Sequence, residues 1–157
     1  MMQNKFIIVV LFFLLVSCGK RPYYEKVYSF ENRVWKDDVK LSFPVEIENI
    51  TTEYNFTLSL RVSTDYKYNN MWVFLKTISP DGTEAREPFE IKITNTDGAW
   101  AGNKIGSIVE TPLVFNKRKL PLAGKYTFIL EQGISLSMID NVLDLGFKVE
   151  KIEGQPI

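Results

Sequence analysis

Tyr54-Asn55-Phe56-Thr57-Leu58-Ser59-Leu60-Arg61-Val62 alternates apolar and polar residues without a break. Successive side chains of a strand point to opposite faces, so this stretch has one dry face and one wet face. The same period returns elsewhere. Val39, Leu41, Phe43, Val45 and Ile47 alternate with Lys40, Ser42, Pro44 and Glu46, and Phe89, Ile91 and Ile93 alternate with Glu90 and Lys92. Leu143, Leu145, Phe147 and Val149 alternate with Asp144, Gly146 and Lys148. Pro44 has no N–H to donate, which predicts an edge strand or a bulge at that point.

Met71 to Leu75 (MWVFL) and Tyr126 to Leu130 (YTFIL) are apolar on both faces and read as central or covered strands. Turn signals separate the strands at 49–53, 65–70, 97–98 and 121–124, and Pro80-Asp81-Gly82 predicts a hairpin turn. The one helical turn expected lies within Ser135 to Asn141. About eight half-buried strands with nearly no helix predict an all-β chain. The expected fold is a two-sheet antiparallel β-sandwich, immunoglobulin-like or jelly-roll, forming a single domain over residues 24–157.

The chain of 157 residues carries 19 Lys plus Arg against 19 Asp plus Glu, one Cys and no His. Without His there is no Ser-His-Asp or Cys-His triad and no imidazole metal ligand. A single Cys forms neither an internal disulfide nor a CxxC pair nor a Cys-based zinc site. Balanced charge argues against a nucleic-acid partner, which needs a basic stripe.

At the start, Lys5 precedes eleven apolar residues, Phe6 to Val16, too short a run for a comfortable membrane span. The run closes on Leu15-Val16-Ser17-Cys18-Gly19, which is similar to a bacterial lipobox. This predicts a lipoprotein signal peptide over residues 1–17, a lipidated Cys18 bearing palmitate-type chains, and a short tether over residues 18–23. Removing residues 1–17 takes away Lys5 and leaves a net charge of −1. The lipid on Cys18 would then be the membrane contact, each buried CH₂ contributing about 0.8 kcal/mol.

Three clusters stand apart from the strand background. One is Asp65-Tyr66-Lys67-Tyr68-Asn69-Asn70-Met71-Trp72, the second is Thr96 to Gly102 around Trp100, and the third is Glu131-Gln132-Gly133. As a recognition surface, the candidate partner-binding residues are Tyr66, Tyr68, Asn69, Asn70, Trp72, Trp100 and Gln132. Tyr and Trp supply large rigid contact area with a polar tip. The plainer reading makes Trp72 and Trp100 core plugs and puts the Asn pair in turn bonds. Asp37-Asp38 reads as a solvated turn. Asn95, Asp97 and Gly98 faintly match a calcium loop, but Gly106 stands where that loop needs its acidic twelfth residue. The expectation is therefore no bound metal, no cofactor and no catalytic residue. Paired carboxylates remain the one route to catalysis, and spacing does not show which two would face each other.

Arg61 to Trp72 (RVSTDYKYNNMW), Gly98-Ala-Trp100-Ala-Gly102, Gly124-Lys-Tyr126-Thr-Phe128-Ile-Leu-Glu131-Gln132 and Ile139 to Gly146 occur in an order that resembles the gliding-motility lipoprotein GldH family of the Bacteroidota. The resemblance covers essentially the whole chain. Two departures are Gly133-Ile134-Ser135, where the family often has a small residue, Met and Arg, and Met138-Ile139 where it usually has Gly-Ile. The resemblance implies a non-enzymatic accessory lipoprotein of the gliding and type IX secretion machinery, with other envelope proteins as partners. The residues after Cys18 lack the Asp of inner-membrane retention and the acidic cluster of surface export, which by resemblance implies the outer membrane, facing the periplasm. The alternative is a glycan-binding β-sandwich lipoprotein, since loop aromatics on such sandwiches stack on sugar rings.

Overall fold

A computed structural model describes residues 21–152. The expected signal peptide, Cys18 and the first part of the tether lie outside the described residues. Eleven strands run β1 Tyr24–Ser29, β2 Val34–Lys36, β3 Leu41–Ile47, β4 Glu53–Ser63, β5 Asn70–Ile78, β6 Glu84–Lys92, β7 Asn103–Ile105, β8 Ile108–Arg118, β9 Gly124–Gln132, β10 Met138–Asp140 and β11 Val142–Ile152. One sheet has the order β1-β11-β4-β8-β7, the other β3-β9-β5-β6, and β2 pairs with β10 in a two-stranded flap. Every ladder is antiparallel.

Two corrections follow. The described residues form eleven strands rather than about eight, and the three shortest, β2, β7 and β10, have three residues each. The helical turn expected within Ser135 to Asn141 is instead β10, where Ile139 pairs with Trp35 and both are buried. The eight longer strands form two sheets of interleaved sequence order, β1-β11-β4-β8 facing β3-β9-β5-β6, which is jelly-roll connectivity.

The core is the sum of the dry faces. Leu41, Phe43, Val45 and Ile47 of one sheet meet Tyr54, Phe56, Leu58, Leu60 and Val62 of the other. Phe147 sits at the centre, with ring centroids 5.1 Å from Phe43 and 5.2 Å from Phe128 across the sandwich and 6.0 Å from Phe56 beside it. Such tilted and stacked aromatic pairs add about 0.5–1.5 kcal/mol each beyond the area they bury.

Proline marks the sheet edges. Pro44 and Pro88 lie in β3 and β6, the two end strands of their sheet, and Pro112 lies in β8 beyond the three residues that β7 pairs. The β3 edge is also covered by side chains of β1 and of Tyr23 just before it. Tyr28 donates its hydroxyl to the Ser42 carbonyl at 2.9 Å, Lys26 reaches the same carbonyl at 3.2 Å, and Tyr23 donates to the Glu46 carbonyl at 2.5 Å. Alternate residues present their backbone to the same side, so the N–H that Pro44 lacks falls on this edge too. With two carbonyls capped and one donor missing, this edge is a poor template for another strand.

Because the long strands run up and down, the molecule has two distinct ends. Tyr23, the turns at 48–52 and 79–83 and the segment 117–123 lie at one, which we call the tether end. The segments at 30–40, 64–69, 93–107 and 133–141 lie at the other, the loop end. β4 spans eleven residues between them, about 35 Å at roughly 3.3 Å per residue.

Candidate functional site

All seven residues selected from sequence lie in or beside the loop end. In the 64–69 segment, the Tyr66 amide donates to the Ser63 carbonyl at 3.0 Å and closes the turn. Its ring is buried, and its hydroxyl donates to the Asn70 carbonyl at 3.1 Å. Burial disfavours the phenolate and pushes the Tyr66 hydroxyl well above its ordinary value. Tyr68 packs edge-on against it with centroids 5.6 Å apart and is 42% exposed. Tyr66 is therefore the buried support, and Tyr68 is the face a partner would meet.

Asn69 works through its backbone. Its carbonyl accepts the amides of Ile93 at 2.8 Å and Thr94 at 3.0 Å, which fastens the 64–69 segment to the next loop. Asn70 Nδ2 donates to Glu90 Oε1 at 2.6 Å. Trp72 stands two residues further along β5, opposite Glu90 on β6, and is 43% exposed. Residues at this spacing share a strand face, so Trp72, Asn70, Glu90 and Lys92 lie on the outer surface of the sheet. Met71 and Val73 take the inner positions instead. A polar cleft of about 580 Å³ adjoins them, walled by Asn69, Thr94, Asn95 and Asp97.

Trp100 is half-buried against the core margin and forms an isolated bridge with Thr94. Gln132 is buried, its amide donating to the Leu136 carbonyl at 2.7 Å and its oxygen accepting the Ile134 amide at 2.9 Å. It shapes the 133–137 segment rather than presenting itself. Next to it, the Gly133 amide donates to the Trp72 carbonyl at 2.7 Å. A Cβ at Gly133 would stand 3.0 Å from that oxygen, so the absent side chain allows the close approach.

The loop end carries more apolar surface than the sequence reading found. Val39, Ile105, Leu136 and Met138 are exposed there beside Tyr68 and Trp72. That makes six of the ten large exposed hydrophobic residues among those described. Val39, which the period-two pattern set on the dry face with Leu41, lies instead in the turn before β3 and is exposed, and Ile105, Leu136 and Met138 sit in short strands and a turn where no such period runs.

A second feature escaped the sequence reading. Val142 pairs with Val62 but Asp144 pairs with Arg61, so β11 has one extra residue at Leu143. This bulge turns both Val142 and Leu145 inward and sets Asp144 opposite Arg61 on the outer face of the larger sheet. Arg61 Nε and Nη2 bond Asp144 Oδ1 and Oδ2 at 2.7 and 2.5 Å. The carboxylate raises the Arg61 pKa through that hydrogen bond. Ser59 donates to Glu110 alongside at 2.5 Å. A groove of about 460 Å³ runs over these groups and over Gly146. Among the described residues no three acidic, His or Cys side chains are grouped to hold a metal ion.

The comparisons with known proteins point one way. The family model described as GldH lipoprotein matches residues 22–149. The chain is 25% identical over 156 residues to the gliding motility lipoprotein GldH of Flavobacterium johnsoniae, covering 95% of this chain and 97% of that protein. It is 25% identical over 157 residues to the gliding motility lipoprotein GldH homolog of Christiangramia forsetii, covering 95% and 96%. Among solved structures, the sugar-binding EclA C-terminal domain is 16% identical with a TM-score of 0.40, over 87% of this chain and 84% of that one. A likeness that loose carries no argument about this chain.

Proposed function

The chain belongs to the GldH lipoprotein family, and from that premise we propose that it is a gliding-motility lipoprotein acting as a non-enzymatic assembly component of the gliding and type IX secretion machinery. Residues 1–17 are its signal peptide, and lipidated Cys18 holds it on the outer membrane, facing the periplasm. The loop end is the surface that docks other envelope proteins. The supporting observation is the clustering of Tyr68, Trp72, Ile105, Leu136, Met138 and Val39 as exposed apolar residues at that one end. Aromatic and Met side chains are enriched in the buried centres of protein interfaces.

The test is gene deletion followed by complementation. Deletion is expected to reduce type IX cargo in the medium, and the unsubstituted gene to restore it. A combined Tyr68→Ala and Trp72→Ala variant at normal abundance is expected not to restore it. Unaltered secretion with wild-type motor assembly after deletion would overturn the reading.

One observation favours glycan binding as a second reading. Exposed Trp72 adjoins the Asn70–Glu90 pair and the polar cleft, an aromatic platform beside hydrogen-bonding groups. A glycan array that returns no binder would dismiss it.

A further inference from the structure

The tether from Cys18 to Tyr23 is five residues long and reaches at most about 18 Å when fully extended. Tyr23 is fixed to the domain at this end, through its bond to the Glu46 carbonyl and its ring beside Tyr54 at 5.6 Å. A lipid on Cys18 therefore keeps the tether end near the bilayer. The tether alone does not set posture, because a domain about 35 Å tall on so long a leash could still lie on its side.

The tether end holds what would set it. Ile50, in the turn between β3 and β4, is 50% exposed, and Leu122, between β8 and β9, is 36% exposed. They are the two large exposed hydrophobic residues of this end among the described residues, and each sits in a chain reversal. Lys117-Arg118-Lys119 lies three to five residues before Leu122, and Lys125 lies three residues after it. Among the described residues the acidic groups of this end are Glu46, Glu48, Glu53, Asp81, Glu84 and Glu150, with Glu25 close by, and Glu46 stands opposite Lys125 across β3 and β9. Glu48 is engaged by Lys151 at 2.9 Å, Glu84 by Lys76 at 2.7 Å, and Glu53 lies 3.8 Å from Lys119. Lys117, Arg118 and Lys125 have no ion-pair partner among the described residues. Exposed apolar tips near cations without an ion-pair partner suit the headgroup region of an acidic bilayer, where the apolar groups leave water and the cations meet anionic headgroups.

We propose that Ile50 and Leu122 enter the headgroup region of the bilayer, with Lys117, Arg118 and Lys125 against acidic headgroups, so that the sandwich stands upright with its loop end away from the membrane. This deepens the proposed function and rests on lipidation of Cys18.

The experiment uses the full chain purified from its membrane into vesicles of phosphatidylethanolamine and phosphatidylglycerol. Cys18 is the only cysteine, so Leu122→Cys and Tyr68→Cys each add one site for a fluorescent thiol label. Quenching by nitroxide lipid is expected to be several-fold stronger at position 122 than at 68. It is expected to fall when phosphatidylglycerol is omitted or when Lys117 and Arg118 are both changed to Glu. Equal quenching at 122 and 68 overturns the proposal, as does quenching at 122 that ignores both charge changes. The unsubstituted protein separates this failure from that of its premise. A lipidated Cys18 has no free thiol and takes up no label, whereas labelling of the unsubstituted chain means that the lipid anchor itself is absent.

Discussion

Arg61 holds Asp144 by two parallel hydrogen bonds across β4 and β11, and only the extra residue in β11 brings the two side chains opposite each other. The carboxylate is buried while the guanidinium stays nearly half exposed. Arg61→Ala is expected to strand a buried charge and lower unfolding stability by about 1–3 kcal/mol, less than for a fully buried pair because water reaches the Arg side. Arg61→Lys is expected to recover only part, since a single ammonium cannot make both bonds. Urea unfolding of the three proteins measures this.

Glu131 joins β9 to two neighbours, Lys40 at 2.8 Å and Arg86 at 3.0 Å. The Lys40 hydrogen bond, helped by Arg86 and opposed by partial burial, holds its carboxyl below the ordinary value of 4.5. A depressed carboxylate pKa stabilises the fold at pH values above the unfolded value, and this gain is lost as pH falls through the lower, folded value. The stability of the unsubstituted protein is therefore expected to decline below about pH 4.5 more steeply than that of Glu131→Gln. Urea midpoints measured across the acid range test the sign.

Tyr66 and Tyr68 touch each other yet should respond in opposite ways. Tyr66→Phe removes the bond to the Asn70 carbonyl and is expected to cost about 0.5–1.5 kcal/mol. Tyr68→Ala is expected to leave stability within about 0.5 kcal/mol, as for most exposed positions, while reducing cargo secretion. Thermal unfolding of the purified variants, set beside the secretion assay, distinguishes support from contact.

A Cβ at Gly102 would overlap the Glu110 carbonyl and crowd Thr111 Oγ1 in β8. Gly102→Ala must push the 95–102 loop off the sheet, at a cost of about 1–3 kcal/mol. Faster proteolytic cleavage within that loop is the expected readout.

The β3 edge gives a prediction about self-association. Pro44→Val restores an N–H on that edge, and Tyr23→Phe with Tyr28→Phe frees the carbonyls of Glu46 and Ser42. The triple variant is expected to scatter light on concentration where the unsubstituted protein does not, because an open strand edge templates further pairing.

The long strands were legible because burial on one face imposes a two-residue period. Leu41 to Ile47 and Tyr54 to Val62 follow it as read. Pro44 announced an edge, and Pro80-Asp81-Gly82 announced the β5–β6 hairpin, where Gly82 adopts φ 84°. The period fails where both faces are wet, as over Glu84 to Pro88, so β6 extends further than its pattern shows. It also fails where a strand has three residues, or where a bulge resets the phase, as at Leu143. Two of the seven candidate side chains are buried for reasons that spacing cannot express. Tyr66 closes its own turn onto Asn70, and Gln132 satisfies two backbone groups of the following loop. Trp72 is exposed because β5 is in register to turn Met71 and Val73 inward.

The antiparallel ladders also decide how the fold would bear force. β1 is the first strand after the tether, and six residue pairs join it lengthwise to β11, which ten further pairs join to β4. A pull between the tether and the loops runs along these strands, so it loads the β1–β11 bonds together, in shear, rather than opening them one by one from an end. If anchored at one end and gripped at the other, a domain with these ladders would transmit tension rather than unzip under it.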